Sequence, residues 1–261
     1  MRGGGTPRRD PGQTFHGMRD FEDSTLWRIS EFERVRRLSG SIYTGQRETV
    51  FATTLQAELD VLGRKRGGGD VLEVMAALRR HREAALVYLS YERLVWPMTV
   101  FPVEMVCHSP RDLLDSSSLG MRTMRVLRVE PPGVLPPGHW KTERVAVTSR
   151  YRPLAPVLWA LAMNGPRKDL LAAISGTAAY RTLHDGGGED LPSPGPLGAA
   201  LDRLQRGPVS LRELALLPGM TLERASRLLN ALYLVSNLMT TRAGPAARRP
   251  PLFGILRGPR G

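Results

Sequence analysis

The residues best equipped for chemistry are few. Cys107 and His108 are adjacent, and a thiol beside an imidazole is the pair from which a thiolate nucleophile is made. Neighbouring residues on a strand point to opposite faces, however, which is the wrong geometry for a thiol and its base. The pattern instead predicts a buried cysteine acting as a small hydrophobe and an exposed histidine. His16, His81, His108, His139 and His184 are scattered, with no i,i+3 or i,i+4 pair to seat a metal. A single cysteine excludes an internal disulfide and a multi-cysteine zinc site. Residues 63–69, GRKRGGG, with Asp70 behind them, superficially suggest a phosphate cradle. No Gly-Lys-Ser/Thr follows and no strand clearly precedes, so the segment reads as a surface loop. Asp112 and Asp115 follow Ser109-Pro110-Arg111, where carboxylates favour the positive end of a helix dipole. Glu31 and Glu33 lie on a charged helical face.

The Walker A loop, the dinucleotide-binding G-x-G-x-x-G, H-E-x-x-H and G-x-S-x-G are all missing from the sequence. The expectation is a protein that is not an enzyme and takes no cofactor. An enzyme whose site is invisible in one sequence is the remaining alternative.

Charge is the next constellation. The net charge is +12, yet residues 21–120 carry 13 basic and 14 acidic side chains. The excess sits in residues 121–152, with seven basic against two acidic, in the last third, and in the tails. Arg122, Arg125, Arg128, Lys141, Arg144, Arg150 and Arg152 are the expected basic patch of the body. On a strand Arg122 and Arg128 would share one side and Arg125 would take the other. Trp140 and Tyr151 are the aromatics suited to stack on a base or brace a partner. Such a surface attracts polyanions or an acidic protein face. The competing reading is a solvated sheet edge protected by charge.

Composition bounds the rest. Nearly all the positive charge is Arg, with Lys only at Lys65, Lys141 and Lys168; Asn is equally rare, while Gly (27) and Pro (21) abound. A GC-rich genome produces that skew, so the sequence reads as bacterial. The apolar runs at 154–163 and 228–238 fall short of the roughly 18 residues a membrane span needs. The basic N-terminus has no apolar stretch behind it, so no secretory signal is read. The expectation is a cytoplasmic protein without membrane contact.

These side chains need elements to position them, and the fold class read here is α+β. Residues 1–13 form a basic tail too poor in apolar residues to fold. An α+β domain spans 14–185. Within it, strands are expected at 41–44, 49–51, 86–89, 94–101, 104–107, 123–129 and 144–148, with Pro97 either arguing against its strand or placing it at a sheet edge. Helices are expected at 70–83, with Asp70 as N-cap and Glu73 as capping-box partner, and at 154–163 and 170–180. Residues 186–196, GGGEDLPSPGP, are a Gly/Pro linker.

Beyond the linker the periodicity sharpens. Leu197, Ala200, Leu201 and Leu204 form one helical stripe, ended by Gly207-Pro208. Ser210 and Glu213 make a capping box for a second helix, ended by Pro218-Gly219. Thr221 opens a third, over 221–239, whose stripe runs from Leu222 through Leu228, Leu229, Leu232 and Val235 to Leu238. Residues 238–242 and 252–256 would then pair as a hairpin. Three helices with a tight second turn and a terminal hairpin resemble the winged-helix superfamily over 197–256, with 257–261 a short tail.

The resemblance implies a third helix that enters the major groove and a wing that touches backbone or minor groove. Arg224, Arg227, Asn230 and Tyr233 would be the contacting side chains, with Arg242, Arg248 and Arg249 as the basic wing. A protein-docking winged helix uses the same helix against a body, a partner or a second copy. Two readings therefore stand: a regulatory or adaptor protein whose module docks on a protein partner or self-associates, and a transcriptional regulator that binds DNA.

Overall fold

The computed structural model describes residues 26–39, 51–63, 69–176, 179–183 and 195–241. The expected tail at 1–13, the strand at 41–44 and most of that at 49–51, the loop tip at 64–68 and most of the linker lie outside the described residues. So do the basic wing, Arg242, Arg248 and Arg249, and the expected strand at 252–256.

An antiparallel sheet and helices make the α+β class plain. The strands are β1 (Trp27–Arg28), β2 (Ala85–Tyr91), β3 (Leu94–Phe101), β4 (Val106–His108), β5 (Arg125–Glu130) and β6 (Tyr151–Pro153). They form one sheet in the order β5-β2-β3-β4-β6, with β1 also on β3. The helices of this region are α1 (Ile29–Ser39), α2 (Thr53–Gly63), α3 (Val71–His81), α4 (Ser118–Met121) and α5 (Leu154–Asn164). One sheet face carries Val87, Leu89, Trp96, Met98, Val100 and Cys107 into the main core with α3 and α5. The opposite face places Leu86, Tyr88 and Val95 against Phe32 of α1, and Phe101 against Val134 and Ala146.

Pro97 does not mark an edge strand, since β3 is central. Its second side is shared: β1 pairs at Leu94 and Val95, and β4 at Thr99, Val100 and Phe101. Neither reaches Pro97, so the proline occupies a local gap and removes no donor from those two ladders.

Two further expectations change. The expected strand at 144–148 is two short 3-10 turns, Thr142–Arg144 and Thr148–Arg150, with Val145 bridged singly to Leu135. The expected helix at 170–180 is a set of turns followed by β7 (Ala179–Thr182). The amides that would open that helix have partners elsewhere in the chain. Leu171 N–H donates to Asn230 Oδ1 at 2.9 Å and Ala172 N–H to Glu73 Oε1 at 2.9 Å.

The C-terminal helices are α6 (Pro196–Arg206), α7 (Leu211–Ala215) and α8 (Leu222–Leu234), followed by β8 (Leu238–Thr241). Local capping fixes their starts as the sequence predicts, but the third helix ends at Leu234 and not at 239: Val235 is its C-cap, Ser236 turns with a φ of +60°, and the chain enters β8. Ser210 and Glu213 form the capping box of α7, and Thr221 accepts from Arg224 N–H to start α8. Among the described residues the partner of β8 is β7, which precedes the expected linker, and Tyr180 of β7 also bridges Val209. The helices are not set apart from the body. A single cluster of buried side chains runs from Phe51 and Leu55 through Leu158 to Leu232 and Leu234.

A polar clasp fastens the two regions along residues 162–172. Glu73, 4% exposed, closes no capping box. Asp70 alone caps α3, accepting from the Leu72 and Glu73 amides, while Glu73 pairs with Arg167 at 2.9 Å. Arg167 also reaches Asp70 at 2.7 Å and donates to the carbonyls of Asp169 and Leu170. From the other side, Asn230 Nδ2 donates to Asp169 O at 2.9 Å. Arg227 donates to Met163 O at 2.7 Å and Ala162 O at 3.2 Å, carbonyls at the C-terminal end of α5. A cation there complements both the unfilled acceptors and the negative end of the dipole. Gly165 permits the tight exit from α5: a Cβ would lie 2.3 Å from Leu161 O.

Asn230→Ala would strand the Leu171 amide and take one of two donors from the Asp169 carbonyl, which keeps Arg167. The expected cost is about 1–3 kcal/mol, or about 2–12 °C in Tm for a chain of this size. Arg224→Ala, on the exposed side of α8, should cost under ~1 kcal/mol. Thermal melts of the two variants followed by circular dichroism check the ordering.

Candidate functional site

Two surfaces matter: the helix expected to contact DNA or a partner, and the basic region of the body. On α8 the side chains Ala225, Ser226, Leu228, Leu229, Asn230, Ala231, Leu232 and Leu234 are buried. Asn230 is 0% exposed and both ends of its amide are engaged by the clasp, so it has no free edge to offer an adenine. Arg227 is held by α5 and by Glu223 at 3.1 Å. Tyr233 is half-buried and packs on the main core. Arg224 is exposed, with its guanidinium donating to Gly219 O in the turn between α7 and α8. Of the four expected contact residues, Arg224 is the one still turned to solvent.

The seven basic residues of the body do not form one patch. Arg125 and Arg128 are on β5, at one edge of the sheet, and Arg122 just precedes it as the C-cap of α4. Arg150 and Arg152 flank or join β6 at the opposite edge. Three strands lie between, roughly 19 Å at the usual strand spacing.

Arg125 and Arg128 also share a side, contrary to the simple alternation. Arg125 pairs with Ser90 and Arg128 with Tyr88, two apart on β2, because the register shifts by a bulge between Tyr88 and Leu89. Arg128 is neutralised by Glu130 at 2.5 Å. Arg152 is neutralised by Asp112 at 3.0 Å and donates to the carbonyls of Ser109 and Arg150. Asp112 therefore serves an ion pair and a local turn, accepting from Leu114 N–H, in place of a helix start.

Lys141 and Arg144 belong to the segment that carries the chain between the two edges, residues 131–150. This segment presents Trp140, 78% exposed, with Lys141 Nζ 4.8 Å from its ring centroid and the His139 ring stacked beside it at 5.7 Å. Composition pointed to Trp140 as a candidate aromatic; its stacking with His139 depends on the turn and could not be read from residue types.

The adjacent thiol and imidazole point to opposite faces as expected, but both are buried, because both faces of the sheet are covered. Cys107 faces the main core, and burial pushes its thiol pKa up to about 12, far from a nucleophilic thiolate. His108 lies between Thr99 of β3 and Tyr151 of β6, its ring 5.0 Å from the Tyr151 ring. Burial, with Arg150 and Arg152 nearby, pushes its pKa down to about 4. Of the other histidines, His81 pairs with Glu58 at 2.9 Å, and His16 and His184 lie outside the described residues. No group of three His, Cys, Asp or Glu among the described residues could hold a metal ion. None of the described helices is long and apolar enough to cross a membrane.

His108 gives stability a pH dependence of definite sign. The folded chain holds the pKa near 4 against an ordinary value near 6.5, so the unfolded chain binds the extra proton between them. The contribution is complete above about pH 6.5 and is lost as pH falls toward 4. A His108→Gln variant should show a shallower fall of denaturant midpoint across that window than the parent chain; an unchanged slope would remove His108 as its source.

No protein-family model matches the chain, and no curated protein or solved structure matches it at a significant level.

Proposed function

We propose that this chain is a non-enzymatic regulatory or adaptor protein of a bacterial cytoplasm. Its C-terminal winged-helix-like segment acts by docking on protein and not by reading DNA. The observation that carries the reading is the burial of α8 against α5 and the clasp segment. A helix that enters a major groove presents a polar face to base edges. Here that face holds Arg227 and Asn230, which bind backbone groups of the body. The DNA-reading alternative requires α8 to leave the body, which would break its bonds to two carbonyls of α5 and to the Leu171 amide and bare its buried apolar face together.

The surface met by the docked module is the chain's own body. A protein partner or a second copy would engage what remains outside. Catalysis gains no support from the one thiol–imidazole pair, since the thiol is protonated and the two groups face opposite ways.

Fluorescence anisotropy with a duplex at about 50 and 200 mM salt, a range over which counterion release changes affinity steeply, tests this. The Arg224→Ala/Arg227→Ala chain should bind duplex within about twofold of the parent, any attraction being erased by salt. A folded double variant that loses tenfold or more in salt-resistant duplex binding would place DNA recognition on α8 and overturn the proposal.

A further inference from the structure

Trp140 stands in a setting built to hold it out. Residues 131–150 leave β5 at one sheet edge and reach β6 at the other, and the base of this crossing is fixed. Val134 and Ala146 are buried on Phe101. Leu135 N–H donates to Arg144 O at 2.8 Å. The Tyr151 hydroxyl accepts from Ala146 N–H at 3.0 Å and donates to Leu135 O. Above that base the tip turns at Gly138, whose φ of +78° suits glycine, and His139 Nδ1 accepts from Lys141 N–H at 3.1 Å. The turn sets three side chains in succession: an imidazole, an exposed indole and an ammonium over the indole ring.

An indole is among the largest apolar groups a core can bury, and this one is left in water on a braced loop. Its neighbours decide what it fits. A protein-binding hot spot is ringed by contacts that exclude water. The exposed residues flanking Trp140 in sequence are Pro137, Gly138, Thr142 and Glu143, which supply no such ring. The tip carries Lys141, over the indole, and Arg144, with Glu143 its single carboxylate, so its local charge is positive. A flat ring beside cations suits a ligand with a flat face and a phosphate. In a duplex the base faces are already stacked on each other, whereas a single strand offers them.

We propose that the 139–144 tip is a binding site for single-stranded nucleic acid, with Trp140 stacking on a base and Lys141 and Arg144 contacting the adjoining phosphates. Lys141 swings from the indole face to a phosphate as the base arrives. Recognition is tolerant of sequence, because every base has a face to stack. This surface is separate from α8, so it stands or falls apart from the docking of the C-terminal segment.

The test is anisotropy of a labelled oligothymidylate of about 12 nucleotides, within the usual site size of such surfaces. The full chain is compared with Trp140→Ala, Trp140→Phe and Lys141→Ala/Arg144→Ala. Trp140→Ala should weaken binding about 5- to 150-fold, the range that loss of one base–aromatic stack produces, and Trp140→Phe should keep most of the affinity. The lysine–arginine variant should bind more weakly with a shallower salt slope, by roughly 1.4 for two phosphates on a single strand. Trp140 is exposed, so its variants should melt with the parent, and a matched melt confirms that the comparison is between folded chains. Binding by Trp140→Ala within twofold of the parent would overturn the proposal. So would polyglutamate that displaces the oligonucleotide as well as unlabelled oligothymidylate does, an outcome that points to an acidic protein face instead.

Discussion

The Arg167 guanidinium, held between Asp70 and Glu73 and donating to the carbonyls of Asp169 and Leu170, is the interaction on which the arrangement of this chain depends. A bare ion in that position would be unfavourable, and two carboxylates with two carbonyls offset its loss of water. The same short segment is held from the far side by Asn230, and the end of α5 by Arg227. Residues 165–172 thus run as a non-helical strap whose polar groups are matched by side chains from α3 and α8. Apolar packing alone would allow α8 to slide or rotate on the body. Directional bonds to specific carbonyls and amides fix one register.

The sheet supplies the second constraint. It is covered on one face by α3 and α5, and on the other by α1 and residues 131–150, so both side chains of the Cys107–His108 pair on β4 are buried. His108 is consequently held neutral and Cys107 held as a thiol. Covering both faces also shapes the surface. The chain enters the 131–150 crossing at one edge and leaves it at the other, so the segment that covers Phe101 also carries the turn that displays Trp140.

Local signals were legible in the sequence and distant ones were not. Asp70, the Ser210–Glu213 box and Thr221 each announce a helix start because the groups they bond lie within three residues. Glu73 carries the same local signature as a capping-box glutamate, yet its partners are Arg167 and the Ala172 amide, nearly a hundred residues away. Asn230 and Arg227 have the chemistry of base readers, and nothing within their own helix reveals that carbonyls some sixty residues upstream take them first. The helix expected over 170–180 is replaced by turns and β7, whose pairing with β8 and bridge to Val209 lie far along the chain and out of reach of local periodicity. The alternation expected of Arg125 and Arg128 failed at a bulge, where one extra residue restores both to a single side. Pro97 was read through a rule for whole strands, while the relevant gap is local to one side of β3.

Buried against α5 and bonded to the strap, α8 is part of the body's cooperative unit and not a mobile reading head. Native-state hydrogen exchange measures it directly, since amides of one unit share one opening free energy. The buried amides of α8 and the Leu171 and Ala172 amides should exchange together with those of β2 and β3, through global unfolding. Exchange of α8 through a separate, lower-energy opening that leaves β2 and β3 protected would contradict it.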